Sequence, residues 1–477
     1  MPYSDLRDWL DQVRAMGELK EFRGAHWDLE MGTICDVASR DRKLKPAFLF
    51  DDVVGYPTGY RVLVNPLTSM GRVALTLDMP KDITEMGFIE EWRRRTKHMG
   101  HKPPTLVSSG PILENVQTGD DVDLFKFPVP RYHELDGGRY IGTGSVTITQ
   151  DPDTGWVNMG TYRVEVHNKN TMAFFVSPGK HGRIIREKYH AKGEPCPVAI
   201  TFGHPPDILA GAGYVDLPHG VSEYDFIGGF TGKPVEVIKG PVTGLPIPAN
   251  AEIVIEGYSY PGETMVEGPF GEWTGYYASS AREEPIIRVK SVMHRNNPII
   301  LGAPPTRPPV SGHSLLSALL QSATILDSLE AAGVPDVVSV RSHELGGFSF
   351  ILIVSIKQRY PGHARQAAAI ASQCRAGAYL GRYVIVVDED IDPYNTDDVL
   401  WAMATRSDPD QDIDILRRCW SSTLDPVIPI GQKGFNSRAF IDACRPYEWK
   451  DQFPKVSDPS PELAKKIVDK WGKALFE

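Results

Sequence analysis

Between residues 4 and 17, apolar side chains return at helical spacing. Leu6, Trp9, Leu10, Val13 and Met16 fall on one face, with Ser4 placed to cap the helix and Gly17 to end it. From about 105 to 300 the pattern shortens into β-like runs, "GSVTITQ", "YRVEVHN", "MAFFVS", "PVAITFG", "AEIVIEGY" and "IIRVKSVMH", separated by Gly/Pro turns. This texture predicts a β-rich barrel or sandwich. The proline-rich "LGAPPTRPPVSG" (301–312) then leads into "HSLLSALLQSATILDSLEAAG", whose Leu315, Leu316, Leu319, Leu320, Leu326 and Leu329 predict a helix with a broad apolar stripe. A domain boundary near 305 follows. Beyond it, the strands "DVVSVRS", "FSFILIVSI" and "YVIVVDEDID" alternate with helices around "ARQAAAIASQCRAGAYLG" and "DDVLWAMATR", the pattern of an α/β sheet domain. A last helix, "SPELAKKIVDKWGKALF", opens with a Ser cap and a Pro at its first position, and is expected to dock on this chain or on a partner subunit. The expected division is therefore 1–105, an α/β segment; 106–305, the β-rich domain; 306–450, an α/β domain; and 451–477, a terminal helix.

Length supports several domains, since 477 residues exceed one compact core. The formal charge of −10, with no run of Lys and Arg, argues against nucleic acid as a partner. The longest uncharged apolar stretch, "FSFILIVSI" (348–356), is far short of the roughly 20 residues that span a bilayer. The opening "MPYSDLRDWLDQVRAMGELKEF" carries acids where the apolar part of a signal peptide would stand, so a cytoplasmic enzyme is expected. The five cysteines, 35, 196, 374, 419 and 444, are widely spaced with no CxxC, which reads as reduced thiols.

Chemistry concentrates in a few stretches. "MVEGPFGEWTG" (265–275) holds Glu267 and Glu272 around Gly-Pro-Phe-Gly, a stiff loop crowded by Phe270, Trp273, Tyr276 and Tyr277. An isolated pair of this kind is most often a surface turn. Among aromatics, however, two carboxylates are costly to ionise together and call for a cation or a shared proton. "GWVNMGTYRVEVHNKN" (155–170) offers Arg163 as that cation and places Trp156, Asn158 and Arg163 on one predicted strand. Asn158 and Arg163 are an odd number apart, so they face opposite sides unless a bulge intervenes. His181 in "SPGKHGR" sits at a predicted helix start, and Glu223 follows a Gly turn in "LPHGVSEYDFIGG". Asn, His and Glu together are donors suited to Mn²⁺ or Mg²⁺, with a phosphate able to complete the shell. "GAGYVDLPHG" is not a dinucleotide fingerprint, because a turn stands where the phosphate-binding helix should begin. No G-x4-GK[ST], HExxH or G-x-S-x-G occurs.

Taken in order, "HELDGGRYIGTG", N-x4-R, "SPGKHGR", "LPHGVSE", "EGPFGEW", "DEDID" and "WAMATRSDP" resemble the UbiD family of reversible decarboxylases, over most of the chain. The resemblance implies a mixed α+β and α/β fold: a split β-barrel flavin-binding domain between an N-terminal α/β segment and a C-terminal α/β domain that dimerises. It implies prenylated FMN as cofactor, supplied by a separate flavin prenyltransferase. Asn158, His181 and Glu223 match the family's Mn²⁺ (or Mg²⁺) ligands against the cofactor phosphate, and Trp156, Ala212, Gly213 and Glu223 match a K⁺ site. Thr161, Tyr162, Arg163, Lys180 and Arg382 join the expected cofactor-binding set, Arg382 standing where many relatives carry lysine. Arg163, Glu267 and Glu272 match a catalytic Glu-Arg-Glu network: Arg163 for the carboxylate, Glu272 as proton donor, Glu267 orienting Arg163. Trp273 and Leu316 match variable pocket-wall positions. The implied reaction is decarboxylation of an aromatic, heteroaromatic or α,β-unsaturated acid with release of CO₂, by a homodimer or higher homo-oligomer. A polyprenyl-hydroxybenzoate decarboxylase of quinone synthesis and a non-catalytic flavin-binding assembly partner are the alternatives.

Overall fold

The computed structural model describes the whole chain except residues 1, 42, 44, 216, 309, 310, 313, 430, 431, 433 and 477. The first helix, Leu6–Ala15, buries Leu6, Trp9, Leu10 and Val13 as its periodicity requires. Its cap is Asp5 rather than Ser4: the Asp5 carboxylate accepts the N–H of Arg7 and of Asp8, each at 2.9 Å, while the N–H of Ser4 itself donates to Asp8. The helix lies beside a four-stranded sheet ordered Leu19–Arg23, Ala47–Asp51, Arg61–Val64 and Ile299–Gly302. That last strand belongs by sequence to the β-rich region, yet it pairs in parallel with Arg61–Val64. The first two regions are thus stitched together by backbone hydrogen bonds.

The centre is a ten-stranded sheet. Eight strands run in the order Arg139–Gly142, Arg163–Asn168, Thr171–Phe175, Arg282–His294, Ile253–Ser259, Cys196–Gly203, Val146–Gln150 and Val157–Gly160, with Thr264–Glu267 and Asn115–Thr118 added on the long strand. Val157–Gly160 closes one end of that order, and Arg163–Asn168 lies one strand in from the other. Only Thr161 and Tyr162 connect them. Two linking residues make three Cα–Cα steps and reach at most about 11 Å, so the sheet has to curl until its two ends nearly meet. This half-barrel answers the expectation of a β-rich barrel, and it replaces the single predicted strand through Asn158 and Arg163 with two strands broken at 161–162.

Helices His181–Ala191, Pro206–Tyr214 and Glu223–Thr231 lie against the strands next to that break. The remaining domain is a five-stranded sheet ordered Val337–Ser342, Ile351–Ile356, Tyr383–Asp388, Phe435–Ala443 and Ile413–Trp420, its inner three strands parallel. It carries the helices Ser314–Ala331, His363–Gln373 and Thr396–Arg406. "FSFILIVSI" becomes a strand only from Ile351: Phe348 has φ +64° and belongs to the turn before it. The terminal helix Pro461–Phe476 is capped by Ser460, whose hydroxyl oxygen accepts the N–H of Leu463. It buries none of its residues, so the apolar face Leu463, Ile467, Trp471 and Leu475 is left to solvent in the isolated chain. All five cysteines are free thiols, and no helix among the described residues is long and apolar enough to cross a membrane.

Candidate active site

Strand Thr264–Glu267 delivers the first glutamate and ends in a turn that only glycine enters cheaply, Gly268 at φ +83°. The Gly268–Pro269 peptide is cis. Four backbone groups of the turn have partners. The Gly268 N–H donates to Glu165 at 3.0 Å, the Pro269 carbonyl accepts from Gly137 at 2.8 Å, Gly271 N–H donates to Asp136 at 2.9 Å, and Glu272 N–H donates to the Tyr276 carbonyl at 3.1 Å. Any side chain at Gly137 would strike the Gly268 carbonyl, 2.1 Å from the position of a Cβ. The loop is held as a rigid piece.

Into it points Arg163, the first residue of its strand. Nε and Nη2 donate to the two oxygens of Glu267 at 2.7 Å each, and Nη1 donates to Glu272 at 2.5 Å. The fork geometry explains why arginine suits the position. The rings of Phe175 and Phe270 lie 4.7 and 4.8 Å from the guanidinium carbon and keep water away. Burial opposes the charge on Arg163, but Glu272 and Glu267 outweigh it and hold the guanidinium above its ordinary value. Burial pushes the Glu272 carboxyl up, against the opposing pull of Arg163. The excess negative charge anticipated for two acids around one cation therefore bears on Glu272.

A second cluster forms where the sheet's ends meet. Asn158 donates from Nδ2 to Glu223 at 3.0 Å, and the Met159 N–H donates to the other Glu223 oxygen at 2.7 Å. Glu223 opens helix Glu223–Thr231, and His181 opens helix His181–Ala191. The His181 ring lies 4.9 Å from Trp156 and 5.7 Å from His219, centre to centre. Tyr162 ties the two sides, accepting the Gly182 N–H at 3.1 Å and donating to Asn158 at 3.4 Å. Burial raises Glu223 to about 7. Thr161 Oγ1, Trp156 Nε1 and Ser222 Oγ are buried here with no partner in the protein. Gly213, in the last turn of Pro206–Tyr214, passes so close to Thr161 that a Cβ would lie 2.7 Å from its hydroxyl. The carbonyls of such a last turn have no partner within the helix. Amide oxygen, imidazole, carboxylate and carbonyls, with two helix N-termini and unspent polar atoms, fit a divalent cation bearing a phosphate. Among the described residues, no three His, Cys, Asp or Glu side chains form a metal set of their own, so a site here depends on the asparagine and on the ligand's oxygens.

One cavity of about 280 Å³ joins the clusters, lined by Thr161, Tyr162, Arg163, Lys180, Gly213, Glu272 and Trp273. Trp273 leans on Phe348 and Phe350, with ring centres 4.9 and 5.7 Å apart. Trp156, Asn158, His181, Ala212, Glu223 and Glu267 are not among its lining residues, nor are Leu316 and Arg382. Leu316 is buried beside Leu77, Trp92 and Phe226; on its helix the cavity side belongs to Ser317, about 100° further round. Arg382 does not line the cavity: it donates to Asp425 at 2.5 Å, a fully buried carboxylate that would be costly to leave without its cation. Phe175, Phe348, Tyr214 and Leu424 line the cavity without having been singled out, and His219 stands against Trp156 at 4.7 Å. For these the chain offered little signal, since each reads as an ordinary apolar or turn residue.

A half-barrel with buried, unpartnered polar atoms at its seam and an arginine between two glutamates along the same cavity is the frame of the site. Comparison with known proteins makes this specific. The family models for 3-octaprenyl-4-hydroxybenzoate carboxy-lyase match in sequence: its N-terminal domain at 10–88, its Rift-related domain at 105–308 and its C-terminal domain at 314–443. The pyrrole-2-carboxylic acid decarboxylase of Pseudomonas aeruginosa is 35% identical over 94% of this chain and 92% of its own. A phenolic acid decarboxylase of Streptomyces sp. is 32% identical over 97% of each. The UbiD-class enzyme HmfF of Pelotomaculum thermopropionicum, solved in complex with FMN, superposes with a TM-score of 0.85 at 28% identity, over 97% of this chain and all of its own. An evolved dimeric form of HmfF was solved with prFMN, at a TM-score of 0.81, 27% identity, and 97% and 98% coverage. The chain belongs to the UbiD family and is a carboxy-lyase of that class.

Proposed function

We propose that this chain decarboxylates a flat aromatic or heteroaromatic carboxylic acid, reversibly and without net oxidation. The observation that carries the reading is Arg163 clamped by Glu267 and touched by Glu272 in the wall of the cavity. Prenylated FMN, when bound, supplies the electron sink that loss of CO₂ from an sp² carbon requires. Asn158, His181 and Glu223 would hold its phosphate through Mn²⁺ or Mg²⁺, with Lys180, Thr161 and Tyr162 alongside. Trp156, Glu223 and the carbonyls of Ala212 and Gly213 would take K⁺. Arg163 receives the substrate carboxylate or balances its charge, and Glu267 keeps the guanidinium in place. Glu272, whose burial favours the acid form, hands its proton to the carbon that CO₂ has left. Trp273, backed by Phe348 and Phe350, offers a flat apolar face to a planar acid and little room for a long polyprenyl tail. The relatives' acids, pyrrole-2-carboxylic and phenolic, support that class. Because the chain has no sequence signature for building the modified flavin, the prenyltransferase is a separate protein. The bare apolar face of Pro461–Phe476 favours assembly as a homodimer or higher homo-oligomer.

The test is CO₂ release from pyrrole-2-carboxylate, vanillate, 3,4-dihydroxybenzoate and cinnamate by enzyme produced with a flavin prenyltransferase and loaded with Mn²⁺ and K⁺. Release from at least one ring acid, absent from enzyme carrying FMN alone, is expected. The absence of both CO₂ release and exchange of the products' ring hydrogens with deuterated water would sink the reading.

A further inference from the structure

Behind the Glu267 end of the loop stands a carboxylate that the reaction as described does not use. Glu165 lies two residues beyond Arg163 on one strand, so both side chains leave the same face of the sheet. It is 4% exposed. One oxygen of its carboxylate accepts the Gly268 N–H at 3.0 Å and the Tyr140 hydroxyl at 3.1 Å. Gly268 is the residue immediately after Glu267. The Tyr140 ring packs 4.3 Å from Phe270 and stands 6.0 Å from the Arg163 guanidinium carbon. Gly138 leaves the room, for a Cβ there would lie 2.2 Å from the other Glu165 oxygen. A single buried side chain therefore joins the turn that follows Glu267 to the ring that packs on Phe270 and faces Arg163.

We propose that Glu165 is a positioning residue of the decarboxylation, fixing Glu267 and through it Arg163 by holding the Gly268 N–H and the Tyr140 hydroxyl. The inference rests on the reaction proposed above. A charge effect accompanies the geometry. Facing Glu165 are Tyr140 across one strand pair and Ala173 across the other, Arg163 on its own strand, and Glu267 with the Gly268 N–H on the loop strand. Farther along, His167 faces Glu267 from the same strand, and Asp136 acts on Tyr140. Burial raises Glu165 to about 7, with Glu267 adding to the rise and Gly268, Tyr140 and Arg163 opposing it. Below that pH Glu165 is neutral. Above it, a further negative charge stands beside Glu267 and Arg163.

The experiment compares Glu165→Leu and Glu165→Gln as cofactor-replete, metal-loaded enzyme, with the best acid of the panel above and with folding checked by thermal melting. Glu165→Leu loses the acceptor, and kcat is expected to fall by about 10- to 100-fold with KM little changed. Glu165→Gln restores an acceptor for both hydrogen bonds and is expected to recover much of that loss. Lacking the titrating group, it should also change the kcat profile near pH 7, where Glu165 ionises. Equal kcat in both variants with an unmoved pH profile, whether wild-type or lowered, overturns the proposal. Glu272→Gln measured alongside separates the two levels. An inactive Glu272→Gln beside an indifferent Glu165 overturns this inference alone, whereas a fully active Glu272→Gln overturns the reaction on which it rests.

Discussion

The two ends of the cavity are built on opposite principles. At the Arg163 end the guanidinium has its partners inside the protein: a two-pronged bond to Glu267, a third contact to Glu272, and a loop pinned by hydrogen bonds from Gly268 and Gly271 to Glu165 and Asp136. At the Asn158 end, Thr161, Trp156 and Ser222 keep buried polar atoms without partners, and burial raises Glu223 to about 7. Leaving such atoms bare costs of order 1–3 kcal/mol each, a cost that a bound ligand can offset. The first end is preorganised for chemistry; the second is completed by what it binds. Mutations should therefore separate turnover from loading.

The sharpest separation is expected at Glu272. Glu272→Gln keeps size and hydrogen bonding but removes the acid, so flavin and metal occupancy should stay at wild-type levels while decarboxylation falls by about two to four orders of magnitude. Exchange of the product's ring hydrogen with deuterated water should stop as well, since it uses the same proton carrier in reverse. In the wild type the sign of the pH dependence follows from the raised Glu272 carboxyl. The donor form persists above the usual carboxylate range, and kcat falls as pH climbs through the raised value. Exchange at the wild-type rate in Glu272→Gln would show that the proton comes from elsewhere.

Next in size is Glu223→Ala, the mirror experiment at the other end. Loss of the carboxylate that opens helix Glu223–Thr231 should lower metal and flavin occupancy together, by at least about tenfold in affinity, because the phosphate loses its counter-charge. Elemental analysis and the flavin absorbance of purified protein read both. An enzyme that loads normally but turns over slowly would mean that the two ends have been assigned the wrong way round.

The sequence displayed these ends unequally. Arg163 with Glu267 and Glu272 could be paired from residue chemistry alone, since a crowded two-acid loop needs a cation and a strand nearby carried one. What hid Glu165 was its setting in "YRVEVHN", where an alternating glutamate reads as a solvent-facing strand position; the strand period from Arg163 was the one clue available. Asn158, His181 and Glu223 lie far apart along the chain, and nothing local marks their meeting, which depends on a sheet curling until Thr161 and Tyr162 can bridge its ends. At Leu316 the resemblance named a wall position, whereas the six leucines on its helix declared the buried stripe that the structure shows, but not which neighbour faces the cavity. For Arg382, the charge was legible and its partner was not, because Asp425 sits on a loop 43 residues further on. The return of Ile299–Gly302 to the first sheet was equally invisible, since pattern reports a strand and not its neighbours.

The smallest expected effect on turnover tests the wall between the two ends. Trp273 contributes a flat face and no transferable proton, so Trp273→Ala should leave loading and proton exchange in place while kcat/KM for the preferred acid falls by about tenfold, within the usual worth of a few lost contacts. Bulkier ring acids should gain relative to it, because the space opened lies against Phe348 and Phe350. Leu316→Ala is the control, since that side chain is 1% exposed in the core. It should cost about 2–5 kcal/mol of stability and leave the order of preferred acids unchanged. Competition assays with paired acids measure the order directly. If Leu316→Ala reorders the acids while Trp273→Ala does not, the cavity wall belongs to the helix Ser314–Ala331, and the aromatic cluster around Trp273 serves only to hold the loop that carries Glu272.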